Sequence, residues 1–139
     1  MPDSIVAGAD SVGRAMFGKR LGQVATMRRA GVHILTGTDA PLRNSPPGFG
    51  LHEELALFVQ GGMSPFDALS AATIEPARYL GMLDSTGTIA PGKLADLVLL
   101  AGNPLRDIRQ TRRIVAVVAD GRLIDANERA RLIRLAAGR

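Results

Sequence analysis

Apolar residues change their spacing several times along this chain. Between residues 11 and 30, Met16, Phe17, Leu21, Val24 and Met27 recur at helical intervals with arginines between them. That pattern predicts an amphipathic helix, and Gly31 follows it as a residue suited to ending one. Val32-His33-Ile34-Leu35 then predicts a short strand that runs into Thr36-Gly37-Thr38-Asp39. A helix feeding a strand through so short a connection is α/β packing.

Residues 41–50, PLRNSPPGFG, hold three prolines and two glycines and read as an irregular loop. Helical spacing resumes over 51–60, LHEELALFVQ, and stops at Gly61-Gly62. Ser64-Pro65-Phe66-Asp67 is a helix start with three agreeing signals. Ser64 suits the N-cap, Pro65 the first helical position, and Asp67 is placed to answer the cap. Thr73 is the expected cap of another short helix, EPARYLG, closed by Gly81.

From residue 86 the texture becomes that of turns and short extended runs. Asp96 to Leu100 and Ile114 to Val118 predict strands, and Asp120-Gly121 predicts a tight hairpin into Arg122-Leu123-Ile124. The tail ANERARLIRLAAGR predicts a last helix with Leu132, Ile133 and Leu135 inward. The expected division is therefore residues 1–84, α/β in character, and 85–139, mostly β with a terminal helix.

Composition narrows the function classes. At 139 residues with 46% hydrophobic content, the chain can bury a core and is not disordered by composition. It has no cysteine, which excludes disulfides and thiolate metal sites. No stretch approaches the roughly 18 uninterrupted apolar residues of a membrane span, and the first twenty residues lack a continuous apolar core of the signal-peptide kind. The expectation is a cytoplasmic protein with no membrane partner. The net charge of +4 raises nucleic acid as a partner. Fifteen of the seventeen basic residues are arginines spread along the chain, with no Trp and one Tyr to stack bases. The charge reads as a solvated surface, and no specific nucleic-acid partner is expected.

Four segments taken in order carry a resemblance. TGTDA, then HEELALFVQGGMSPFDALSAATIEPARYLGM, then GTIAPGKLADLVLL, then VVADGRLID resembles the C-terminal part of metal-dependent amidohydrolases, nearest the imidazolonepropionase and prolidase-like branch. The similar stretch covers roughly residues 20–125. It implies the C-terminal portion of a (β/α)8 barrel, last strand and following helices, plus part of a small composite β-sandwich. Residues 32–39 would be the last strand, 51–80 the helices after it, and 86–124 the returning sandwich strands.

Active sites of such barrels lie at the C-terminal ends of the strands. The resemblance makes Asp39 a metal ligand and the base that takes a proton from the attacking water. From the residues alone, Asp39 reads first as capping a turn before Pro41. The resemblance also implies a divalent metal, zinc, in a complete enzyme and a small amide-type substrate. His52, at the start of the helix after the loop, and Arg43, in the loop, are the candidate substrate contacts. His33 lies six residues before Asp39, roughly 20 Å at extended rise, and is expected to be structural or exposed. Glu53 and Glu54 suit a helix N-terminus electrostatically.

The other ligands the resemblance calls for, an HxH pair above all, do not occur in this sequence. A catalytic zinc site uses about three protein ligands, and a complete barrel needs at least about 200 residues. The expected chain is thus the C-terminal portion of a hydrolase of C–N bonds, amide or cyclic amide. Alone it is expected to be inactive and to hold no metal tightly. It would need an N-terminal portion or homo-oligomerisation to cover its edges. A non-catalytic fragment or assembly module is the alternative, and a basic nucleic-acid-binding protein a further one.

Overall fold

The structure, a computed structural model, describes residues 3–39 and 48–136. They form two compact units, residues 1–71 and 72–139.

The first unit is helical. Helix α1 runs Asp3–Arg29, α2 Gly50–Gln60 and α3 Pro65–Ala71. The first helix begins earlier than its apolar pattern predicts. It ends as expected: Gly31 sits at φ +88, Gly31 N–H donates to Arg28 O and Val32 N–H to Met27 O, both at 3.0 Å. This paired closure needs a left-handed residue, which glycine supplies without strain. Helix α2 closes the same way, with Gly62 N–H on Val59 O and Met63 N–H on Phe58 O, both at 3.0 Å. At α3 the Ser64 hydroxyl accepts Asp67 N–H at 3.0 Å and donates to Asp67 Oδ2 at 2.6 Å. The Ser64 cap read from the sequence is present, and Asp67 answers it through the hydroxyl.

Small residues let these helices approach. Ala25 on α1 is 1% exposed, with Leu21, Val24 and Arg28 half-buried around it. A Cβ on Gly61 would lie 2.5 Å from Leu21 O. The backbone at the end of α2 therefore touches α1 where only glycine fits. Arg28 Nε reaches Asp67 Oδ1 at 3.0 Å and ties α1 to α3.

The strand expected at 32–35 is not formed: residues 32–39 carry no regular secondary structure. A strand is defined by its ladder, and among the described residues no other strand pairs with it. Val32-His33-Ile34-Leu35 is a segment able to join a sheet, not one that has joined.

The second unit carries α4 (Ile74–Tyr79), strands β1 (Leu97–Leu100), β2 (Ile114–Ala119) and β3 (Arg122–Ile124), and α5 (Ala126–Ala136). Thr73 occupies the cap position of α4 without a side-chain cap bond. Gly81 closes that helix at φ +69. The strands form one antiparallel sheet in the order β1-β2-β3. Asp120 at φ 50 and Gly121 at φ 74 make the expected two-residue hairpin, whose twist matches the flanking strands. Asp96 Oδ1 accepts Asp120 N–H at 2.7 Å and locks that turn to the start of β1. The Lys93 ammonium draws the preceding loop together, donating to Leu83 O, to Thr86 O at 3.3 Å and to Thr88 Oγ1 at 2.6 Å.

The tail helix forms, but its inward face does not. Leu132 is 38%, Ile133 54% and Leu135 59% exposed. Helical spacing shows which face seeks cover, and the second unit provides none for these three. Helix α5 is held instead by polar contacts: Asp125 Oδ1 caps it through Glu128 N–H at 2.8 Å, and Arg129 donates to Ile114 O. Val98 and Leu99, on opposite faces of β1, are 56% and 46% exposed.

Candidate active-site segment around Asp39

The segment 36–39 is held by two successive backbone amides. Thr36 N–H donates to Ala71 O, at the end of α3, at 3.0 Å. Gly37 N–H donates to Glu54 Oε1, on α2, at 2.8 Å. The two helices after the loop thus grip the approach to Asp39. Asp39 itself is exposed and adopts φ +49, one of two non-glycine residues at positive φ among those described. Aspartate tolerates this left-handed region better than most residues. The other such residue, Asp120, has an evident turn role; Asp39 ends a tethered segment.

Of the remaining candidates, His52 lies in the first turn of α2, half-buried, with its N–H on Phe49 O at 3.2 Å. It is two residues from Glu54, so the two side chains leave the helix about 200° apart. Glu54 takes the face that meets segment 36–39. Arg43 lies outside the described residues. His33 is exposed. Among the described residues no group of three or more His, Asp or Glu side chains is gathered for a metal ion. Asp39 offers a hard oxygen donor of the kind a divalent cation takes.

Glu54 is the residue sequence reasoning passed over. Its neighbourhood reads as an acidic helix start, and nothing in HEEL distinguishes Glu53 from Glu54. Only the packing of α2 against residues 36–37 does so. Its second carboxylate oxygen, Oε2, is buried with no hydrogen-bond partner among the described residues.

Elsewhere in this unit, Asp67 is held below the ordinary carboxylate range. The Ser64 hydroxyl bond is the largest cause; burial opposes it, and the Arg28 guanidinium adds to the lowering by its hydrogen bond and its charge. No helix among the described residues is long and apolar enough to cross a membrane.

A model of the amidohydrolase family matches residues 17–124. Adenine deaminase 2 of Jannaschia sp. (strain CCS1) is 41% identical over 68 residues, covering 49% of this chain and 10% of that protein. The imidazolonepropionase of Deinococcus deserti is 40% identical over 83 residues, covering 59% of this chain and 20% of that protein. A crystal structure of a Xaa-Pro dipeptidase with bound methionine aligns with TM-score 0.69 at 32% identity, over 91% of this chain and 29% of that one. The chain spans a tenth to a fifth of the length of these two curated relatives.

Proposed function

Because the chain belongs to the amidohydrolase family, we propose that it is the C-terminal portion of a metal-dependent hydrolase of carbon–nitrogen bonds. In this reading residues 32–39 would pair as the last strand of a (β/α)8 barrel once flanked by other strands, 51–80 would be the helices that follow, and 86–124 the returning strands of a composite β-sandwich. The boundary between the two parts lies, in this reading, near residue 84.

The observation that carries the reading is Asp39. It ends a segment gripped by α2 and α3 and departs from ordinary backbone where a barrel would open its active site. A divalent cation, zinc, would be held there by Asp39 together with ligands from outside these residues; when bound it would lower the pKa of a water and polarise the bond to be cut. The role of Asp39 is to contribute an oxygen donor and to accept the water's proton on its carboxylate. His52 and Arg43 remain the candidates for contact with a small amide- or amine-type substrate. The deaminase and dipeptidase among the relatives are named for reactions at such bonds. With one ligand of about three, the chain alone is inactive and binds metal weakly.

Uncovered apolar surface favours a partner, either an N-terminal portion or a second copy. Both faces of β1 and the apolar side of α5 are open. The same observation supports the second reading, an assembly module with no chemistry of its own. A cytoplasmic location accompanies both. Any binding of nucleic acid would be to phosphates alone and salt-sensitive.

Sequencing the DNA directly upstream tests the choice. A continuous or adjacent frame carrying HxH supports the hydrolase reading. Its absence, with an unrelated frame in its place, overturns it in favour of the assembly module.

A further inference from the structure

We propose that Glu54 is a positioning residue for Asp39: its carboxylate clamps the Gly37 amide and so fixes the backbone that aims the Asp39 carboxylate at a divalent metal. This rests on the reading of Asp39 as a metal ligand.

Three observations meet here. Glu54 Oε1 accepts Gly37 N–H at 2.8 Å across seventeen positions of sequence. A carboxylate bound to an amide is among the stronger hydrogen bonds, about twice a neutral one. Two residues later Asp39 holds φ +49, a backbone state that persists in a non-glycine residue when its surroundings enforce it. The clamp at Gly37 and the Thr36–Ala71 bond are the described contacts able to enforce it.

The third observation is the state of the other oxygen. Glu54 Oε2 is buried and has no hydrogen-bond partner among the described residues. Such a group lowers stability, because it has left water without compensation. A position on α2 that served packing alone would favour leucine, which forms helix well and leaves nothing unsatisfied. A carboxylate kept there against stability points to what Oε1 does. Features that oppose stability gather where a fold is bent to a task.

The test separates positioning from packing by two variants. Glu54→Leu removes the acceptor and satisfies the buried position; Glu54→Gln keeps an acceptor oxygen and removes the charge. Amide exchange at Gly37 is followed by NMR, and Mn2+ serves as the metal probe, read by paramagnetic broadening of the Thr38 and Asp39 amides. In Glu54→Leu, Gly37 exchange should quicken about tenfold, the scale of one lost charged hydrogen bond. The Mn2+ concentration for half-broadening at Asp39 should rise by a similar factor, while the thermal midpoint holds or rises. Glu54→Gln, with a neutral acceptor, should fall between the parent and Glu54→Leu in both. Unchanged Gly37 exchange in Glu54→Leu overturns the proposal. So does a loss of fold or thermal stability in Glu54→Leu, which would make Glu54 a structural residue. Asp39→Asn distinguishes the underlying reading. Broadening absent from the parent, or surviving in that variant, removes Asp39 as a ligand, while Gly37 exchange still decides the clamp.

Discussion

Arg28 Nε donates to Asp67 Oδ1 at 3.0 Å, joining the last turn of α1 to the first turn of α3 through a carboxylate that also closes the Ser64 cap. One side chain thus serves a helix end and a tertiary contact together. Its pKa lies below the ordinary 3.8. The stability it contributes is therefore complete above that value and is lost as pH falls through the lower, folded one. The stability difference between parent and Asp67→Asn should be constant above about pH 5 and shrink as the pH drops below 4. Ser64→Ala should cost about 1 kcal/mol at neutral pH. Urea melts across this pH range check both.

Two glycines in the first unit, one at a helix contact and one facing open space, should respond with opposite signs. A Cβ at Gly61 would meet the Leu21 carbonyl oxygen at 2.5 Å, whereas one at Gly22 meets nothing within 4 Å. Gly61→Ala should destabilise by roughly 1–3 kcal/mol, since backbone must move to admit it. Gly22→Ala, inside α1, should stabilise by roughly 0.5–1 kcal/mol. Denaturant midpoints of the two variants read the contrast directly.

Lys93 is expected to hold the loop before β1. Lys93→Met keeps its length and removes the donors to Leu83 O, Thr86 O and Thr88 Oγ1. A cost of about 1–3 kcal/mol follows from the loss of charged hydrogen bonds. Faster amide exchange confined to residues 83–94 would locate it.

What the sequence made legible was local. Helix ends at Gly31, Gly62 and Gly81, the Ser64–Asp67 cap and the Asp120-Gly121 hairpin each depend on a few neighbouring residues whose chemistry admits little else. Distant partners were not legible. Val32–Leu35 reads as a strand by composition, yet a ladder needs a second strand. Leu132, Ile133 and Leu135 read as inward, yet their cover depends on surfaces elsewhere. The site divides in the same way. Asp39 was visible through its place before a proline and within TGTDA. Glu54 was not, because adjacent glutamates differ only in which helix face the fold turns toward residues 36–37.

The open apolar surfaces carry an expectation of their own. Val98, Leu99 and Ile133 are each close to half exposed, and surface of this kind drives association. The isolated chain should self-associate with rising concentration, and light scattering should show it. A monodisperse monomer with one cooperative thermal transition would mean that these residues need no partner.

Zinc binding by equilibrium dialysis tests the central claim, that Asp39 contributes one ligand of an incomplete metal site. The purified chain should bind zinc only weakly, and Asp39→Asn should abolish what binding there is. One tightly held zinc per chain, or weak binding that Asp39→Asn leaves unchanged, would contradict it.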